Sequence, residues 1–244
     1  METIKEDIAH KHFEEAYISL RDKEQRMYSD EEVFELPQVA NDHIYKKEWE
    51  VRKASAQRLI KYLQKKKQPL KVLEVGCGNG WLSHHLSTIE SSVVEGVDVN
   101  SIELGQASRV FAGVKNLSFI LGDIGSGFLN DQRFDIVVFA AAVQYFQSFR
   151  GIINTALNIL SKEGEIHILD SKFYTSNEVE NARKRSKEYF QKMGFEMMSK
   201  FYFHHSFEEL EPFNYQILYD ADSLVNKLFN KNNPFNWISI KATS

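Results

Sequence analysis

The sequence predicts an α/β chain: a doubly wound, mostly parallel sheet, with helices ahead of it and a helical insertion late in the chain. Three observations carry this. Between residues 70 and 170, short runs rich in Val, Ile, Leu and Phe alternate with helical stretches. Several of those runs lack polar alternation, as expected of parallel strands covered on both faces. One of them passes into three alternate glycines and at once into a helix. In open α/β sheets, ligands sit at the carboxyl ends of strands, beside such turns.

The elements follow in order. Residues 1–68 read as a polar helical cover. Trp49, Arg52, Ala56, Leu59 or Ile60, and Leu63 recur at three- and four-residue spacing and share one helix face. Pro37 interrupts the pattern ahead of them, and Lys65-Lys66-Lys67 before Pro69 suits a solvated helix C-terminus. Residues 69–244 form the core unit. Its strand candidates are Leu70–Val75, Val93–Asp98, Leu117–Leu121, Phe134–Ala140 and Glu165–Asp170. Helices are expected over about 81–89, 101–112 and 148–160, and Asn100 followed by Glu103 has the form of an N-cap with a reciprocal acidic partner. After residue 170 the rhythm breaks. Thr175 with Glu178 makes a capping box for a helix that Gly194 closes, and Ser206 with Glu209 makes a second. Two late strands, Tyr215–Tyr219 and Trp237–Lys241, are expected with a helix between them.

Composition narrows the function. The 244 residues, 43% of them apolar, suit one domain with a sizeable core. A net charge of −4 makes nucleic acid an unlikely partner by default, since such binding rests on neutralising phosphates. The single cysteine, Cys77, has no internal disulfide partner, which fits a reducing cytoplasm. The charged N-terminus METIKEDIAHKHFEE has no signal-type core, and no run approaches 18 uncharged apolar residues, so no membrane association is expected. Oligomeric state is not written in the sequence.

The most informative passage is Val72-Leu73-Glu74-Val75-Gly76-Cys77-Gly78-Asn79-Gly80-Trp81-Leu82. Its spacing is G-x-G-x-G. A dinucleotide fingerprint would need its third glycine at position 81, which is Trp, so an NAD-linked oxidoreductase is disfavoured. Glu74 at the strand end suits a cationic ligand better than a pyrophosphate. Asp98 closes the second strand 20 residues after Gly78, where a carboxylate can accept hydrogen bonds from a ribose diol. Its alternative role, a helix cap, falls better to Asn100.

At these residues the chain resembles the class I S-adenosylmethionine (SAM)-dependent methyltransferases. The glycine passage is similar to their first motif and Asp98 to their second-strand acid. Gly122-Asp123-Ile124 is similar to the turn that contacts adenine, Phe134–Ala140 to the fourth strand, and Leu160-Ser161-Lys162-Glu163-Gly164-Glu165 to the turn into the fifth. The resemblance implies their seven-stranded Rossmann-like sheet with an antiparallel last strand, SAM as cofactor, and in-line methyl transfer. It also implies site roles. Glu74, Gly76, Gly78 and Asn79 line the amino-acid portion of the cofactor, with Cys77 a packed member of the same loop and not a nucleophile. Asp98 and Val99 hold the ribose, Asp123 and Ile124 flank adenine, and Ala140 and Ala141 offer backbone beside the methionine end. Arg52, unusual on an apolar face, either reaches the cofactor's carboxylate or pairs with Glu48 at helical spacing.

The acceptor is less legible. Ala140-Ala141-Ala142-Val143-Gln144-Tyr145-Phe146 lacks the proline-rich box found after the fourth strand in methylases of nucleic-acid amino groups, and is similar instead to the small-molecule branch. Residues 171–213 hold ten aromatics in 43 positions, against 13% over the chain. That enrichment has two readings. Either the insertion at about 171–205 is a lid that, with the N-terminal helices, roofs a pocket for an apolar or aromatic acceptor, or its rings pack the inserted helix onto the sheet. Candidate catalytic groups are His43, His204, His205 and Tyr145, each histidine having a surface or capping role as its alternative; Tyr28 and Tyr45 are further aromatic contacts. Adjacent His204 and His205 would point to opposite faces of a strand and cannot chelate one ion, so no metal is expected. The reading is a SAM-dependent methyltransferase of a small molecule. An RNA or protein methylase of the same fold and a non-catalytic SAM-binding protein are its alternatives.

Overall fold

A computed structural model describes residues 2–223, 226 and 233–242, with side chains from residue 11 onward. The helix expected between the two late strands lies mostly outside the described residues. The N-terminal region folds as helices α1 (Glu2–Lys23), α2 (Asp30–Glu35) and α3 (Lys46–Gln64). Strand β1 (Leu70–Val75) and helix α4 (Trp81–Ser87) follow, then β2 (Ser92–Asp98), α5 (Ser101–Val110) and β3 (Leu117–Leu121). Next come β4 (Phe134–Ala140), α6 (Phe149–Asn158) and β5 (Leu160–Leu169). The insertion carries β6 (Phe173–Tyr174), α7 (Ser176–Met193) and β7 (His205–Ser206), and the chain finishes with β8 (Tyr215–Tyr219) and β9 (Trp237–Lys241).

The main sheet has seven strands in the order β3-β2-β1-β4-β5-β9-β8. The first five are parallel, while β9 runs antiparallel to both β5 and β8. Strand β5 begins five residues earlier than the sequence suggests. Leu160 pairs with Phe134 and the ladder then slips, so Glu165 pairs with Ile136 and residues 161–164 bulge out of the register.

Period-two alternation feeds two cores, one on each face. Val72, Val94 and Val138 pack against Trp49, Leu59 and Leu63 of α3 and Trp81 and Leu86 of α4. Leu73, Val75, Val137 and Phe139 face the other way, against Phe149, Ile153 and Ala156 of α6. A third cluster joins Ala16 and Leu20 of α1 to Phe190 of α7 and to Met198. Helix α1 therefore lies against the insertion, and together they cover the carboxyl ends of the strands.

The expected caps form with one exception. Thr175 with Glu178 and Ser206 with Glu209 are reciprocal boxes, and Gly194 closes α7 at φ +77°. The Asn100 side chain accepts the amides of Ile102 and Glu103, but the Glu103 carboxylate does not return to the cap. It turns into the site.

Candidate active site

Strand β1 ends in a loop that only glycine can make. Gly76 and Gly80 hold φ of +72° and +76°, in the left-handed region. A Cβ on Gly76 would lie 2.9 Å from the Ala142 Cβ, and one on Gly80 would lie 2.5 Å from the Phe119 ring. The loop is tied to β2 by two amides, Gly76 and Cys77, that donate to the Val97 carbonyl at 2.8 and 3.2 Å. Gly78 donates to Asp98 Oδ2, and Asn100 donates to Asp98 Oδ1.

Two cavities open from this loop. The larger, about 500 Å³, runs past Gly78, Asp98, Val99, Asp123 and Ile124 to Phe146. The smaller, about 110 Å³, is enclosed by Glu74, Gly76, Cys77, Gly78, Asn79 and Ala140. Glu103 lines both. A third cavity of about 540 Å³ lies outward, between α1, the end of β5 and the insertion. Tyr17, Ala141 and Tyr145 line all three, so the three spaces meet there. The Tyr145 ring is packed edge-on by Phe13, Tyr17 and Tyr202 at centroid distances of 5.7–5.9 Å.

The inner cavities are acidic. Burial pushes the Glu74 carboxyl up to about 8, against the opposing hydrogen bond from Ser83. Burial pushes Glu103 up to about 7, with Arg21 pulling it down and Asp98 pushing it further up. Asp98 is raised too, again by burial, although the amides of Asn100 and Gly78 oppose this. Desolvated carboxyls, Glu74 and Glu103 on the small cavity and Asp98 and Glu103 on the larger, make these spaces suited to a cation. The Tyr17 and Tyr145 phenols, pushed up by burial, stay protonated and present aromatic faces.

The outer cavity carries the remaining titratable groups. Asp170, just past the end of β5, accepts the Ser55 hydroxyl on Oδ1 at 2.6 Å, and burial pushes its carboxyl up to about 6. Asp170 and Ala141 sit at φ +52° and +53°, left-handed conformations that cost a non-glycine residue about 1–3 kcal/mol. His204 bonds the Ser186 hydroxyl at 2.9 Å, and burial lowers it to about 4, so its ring is neutral.

The residues expected from sequence are only partly brought together. Glu74, Gly76, Cys77, Gly78, Asn79, Asp98, Val99, Asp123, Ile124, Ala140 and Ala141 all line the inner cavities. Cys77 is buried, and burial raises its thiol well above the ordinary value. Arg52 pairs with Glu48 at 3.0 Å, as its helical spacing suggests, and also lines the small and outer cavities. Tyr145 and His204 line the outer cavity, and His205 does not. The His205 ring is buried, with Nε2 on the Val143 carbonyl at 3.1 Å and Nδ1 3.4 Å from Glu209, which removes it as a base. His43 is removed for a similar reason: its Nδ1 accepts the Tyr45 amide in the turn before α3, and the ring packs beside Tyr28 away from the three cavities. Tyr28 and Tyr45 are also structural. Tyr28 accepts the Trp49 indole N–H, and Tyr45 backs Arg26, whose guanidinium lies 3.6 Å from its ring centre.

The rings of the aromatic segment divide between cavity and core. Tyr174, Tyr189, Phe190, Tyr202 and Phe203 line the outer cavity, while Phe173, Phe207 and Phe213 pack into the core beside Phe149. Sequence reasoning missed Phe13, Tyr17, Arg21 and Glu103. Phe13, Tyr17 and Arg21 stand at four-residue spacing, one face of α1, which was the available signal.

Among the described residues, no group of three or more His, Cys, Asp or Glu is arranged to hold a metal ion, and no helix is long and apolar enough to cross a membrane.

Comparison with known proteins bears on this geometry. Residues 66–231 match the family described as methyltransferase domain. The malonyl-[acyl-carrier protein] O-methyltransferase of Halalkalibacterium halodurans is 29% identical over 104 residues, 40% of this chain and 38% of that protein. A protein-L-isoaspartate O-methyltransferase from Pyrococcus abyssi is 33% identical over 81 residues, again 38% of its length. The chain thus spans well under half of the curated relatives it matches. Among solved structures, the plantazolicin methyltransferase BpumL in complex with SAH aligns over 99% of this chain and 98% of its own, with TM-score 0.58 and 19% identity. Magnesium protoporphyrin IX methyltransferase from Synechocystis PCC 6803 with bound SAM aligns over 97% and 96%, with TM-score 0.61 and 13% identity. At these identities the likeness is one of fold.

Proposed function

The chain belongs to the methyltransferase-domain family, and from that premise we propose that it moves the methyl group of SAM to a small molecule held in the outer cavity. One observation carries this reading: Tyr17, Ala141 and Tyr145 line the inner and outer spaces alike. A donor in the inner spaces and an acceptor in the outer one would meet only there. Bound SAM would supply an already activated methyl group on a cationic sulfonium.

The residues fit that group. The glycine loop leaves room for backbone contact, since a Cβ on Gly76 would collide with Ala142. Asp98 has lone pairs left for a ribose after receiving two backbone amides. Glu74 and Glu103 suit the ligand's positive charges, Asp123 and Ile124 the adenine, and Arg52 the carboxylate of the methionine part. Ala140 and Ala141 border the reacting end. Tyr145 excludes water there and donates its hydroxyl, and His204, neutral, can take a proton from the acceptor. Alignment of this kind contributes on the order of 7–11 kcal/mol to such a transfer.

The test is calorimetric titration with SAM, followed by mass spectrometry of a metabolite extract incubated with the chain and methyl-labelled SAM. Binding in the micromolar range and a labelled small molecule are expected. Label found only in RNA or protein would overturn the acceptor class, and absence of binding would overturn the whole reading.

A further inference from the structure

The outer cavity is lined by five cationic side chains, Arg21, Arg26, Arg52, Lys172 and Arg185, and by three carboxylates, Glu24, Glu48 and Asp170. The pairing is uneven. Glu48 serves two arginines, taking both oxygens' worth of bonds from Arg26 at 2.9 and 2.6 Å and a third contact from Arg52 at 3.0 Å. Glu24 stands 3.4 Å from Arg26 but 3.9 Å from Arg21, at the limit of an ion pair. Asp170 spends itself on Ser55. Arg21 is left over. Its side chain is 20% exposed, and its Nε is buried with no hydrogen-bond partner.

A buried guanidinium donor left unmet is costly, and a ligand carboxylate would satisfy it. Arg21 stands where that ligand would be. It faces the outer cavity and the small inner one, one helical turn from Tyr17 at the meeting point. One guanidinium edge matches the two oxygens of a carboxylate in plane. The rings of Tyr145 and Tyr202, 5.7 Å apart, wall the space beyond it. Lys172 and Arg185 add positive charge at its rim.

We propose that the methyl acceptor is a carboxylic acid with an apolar or aromatic body, its carboxylate seated on Arg21 and its body against the wall that Tyr145 and Tyr202 form. This rests on the methyltransferase reading and narrows its acceptor. Arg52 then serves the cofactor and Arg21 the acceptor.

The experiment titrates the full chain, saturated with S-adenosylhomocysteine (SAH), with benzoate, phenylacetate, indole-3-acetate and octanoate, each matched against its own carboxamide. At least one acid is expected to bind at least about 30-fold more tightly than its amide, the scale of losing a buried charge partner. Arg21→Met is expected to erase that preference while costing SAH less than about tenfold, since Arg21 also borders the small inner cavity beside Glu103. Should Arg21→Met fail to fold, Arg21→Lys keeps the charge without the fork and is expected to lose about tenfold for the acid alone. Equal binding of acids and amides, or of neither, overturns the proposal, as does a phosphate monoester outcompeting every acid. A fall of more than about tenfold in SAH affinity on either substitution also overturns it, because Arg21 would then belong to the cofactor. If the parent chain does not bind SAH, the methyltransferase reading itself has failed; SAH binding without acid preference removes only the present proposal.

Discussion

The Gly78 amide donates to Asp98 Oδ2 at 2.7 Å, fastening the tip of the glycine loop to the carboxyl end of β2. The other oxygen takes the Asn100 amide at 2.8 Å. Asp98 thus builds the site before any ligand arrives, a second task beside the sugar contact proposed for it.

Removal of this carboxylate should therefore be felt twice. Asp98→Ala is expected to lower SAM affinity at least tenfold and chain stability by about 2 kcal/mol, the scale of charge-assisted bonds to backbone. Asp98→Asn, which keeps one acceptor, should fall between the two. Calorimetry and urea unfolding read the two effects, and unchanged affinity in Asp98→Ala would refute the assignment.

Gly80→Ala should act on the fold. Its φ of +76° is strained for alanine, and the new Cβ would press on Phe119 at 2.5 Å and on Ala107 at 2.9 Å. Strain and overpacking together are expected to cost about 2–4 kcal/mol, measured by urea unfolding without ligand.

Glu103 gives a pH signature. Burial raises its carboxyl from 4.5 to about 7. A raised acid favours the fold fully below its unfolded value, and that advantage is lost as pH rises through the folded one. Without ligand, Glu103→Gln should gain on the parent between about pH 4.5 and 7 and hold a constant margin above. Melting temperatures at pH 5 and 8 check this; a margin that shrinks with rising pH would contradict it.

Glu14 holds α1 down. Its Oε1 accepts the Ser101 hydroxyl at 2.6 Å and the Ser101 and Ile102 amides at the start of α5. Glu14→Ala is expected to speed SAH dissociation by about 3–10-fold while changing stability little, since the contact is exposed. Stopped-flow release of SAH is the measurement, and an unaltered rate would show that α1 is not held by this contact.

The histidines separate cleanly. His205→Ala leaves a buried hole and takes one of two hydrogen bonds from the Val143 carbonyl, and is expected to cost about 2–4 kcal/mol. His43→Ala loses one partly exposed turn contact and should cost about 1 kcal/mol or less. Chemical denaturation of both variants decides the matter.

Strands β1, β3 and β4 were legible to the residue because buried parallel strands announce themselves as short apolar runs between turn signals. The glycine loop and Asp98 were legible because their spacing follows from backbone sterics. Glu103 was misread as a cap partner. Asn100 and Glu14 together satisfy the α5 amides, which frees the Glu103 carboxylate to turn inward, and local spacing does not reveal that choice. The cavity faces of Tyr17 and Arg21 were hidden because α1 is placed by contacts with Phe190 and Met198, far off in sequence. His43 and His205 were candidates by residue type; only the fold shows their rings already committed to backbone.

Helix α1 contributes Tyr17 to every one of the three spaces. A displacement of that helix would therefore reshape all three at once, and no one of them could be widened through it without the others.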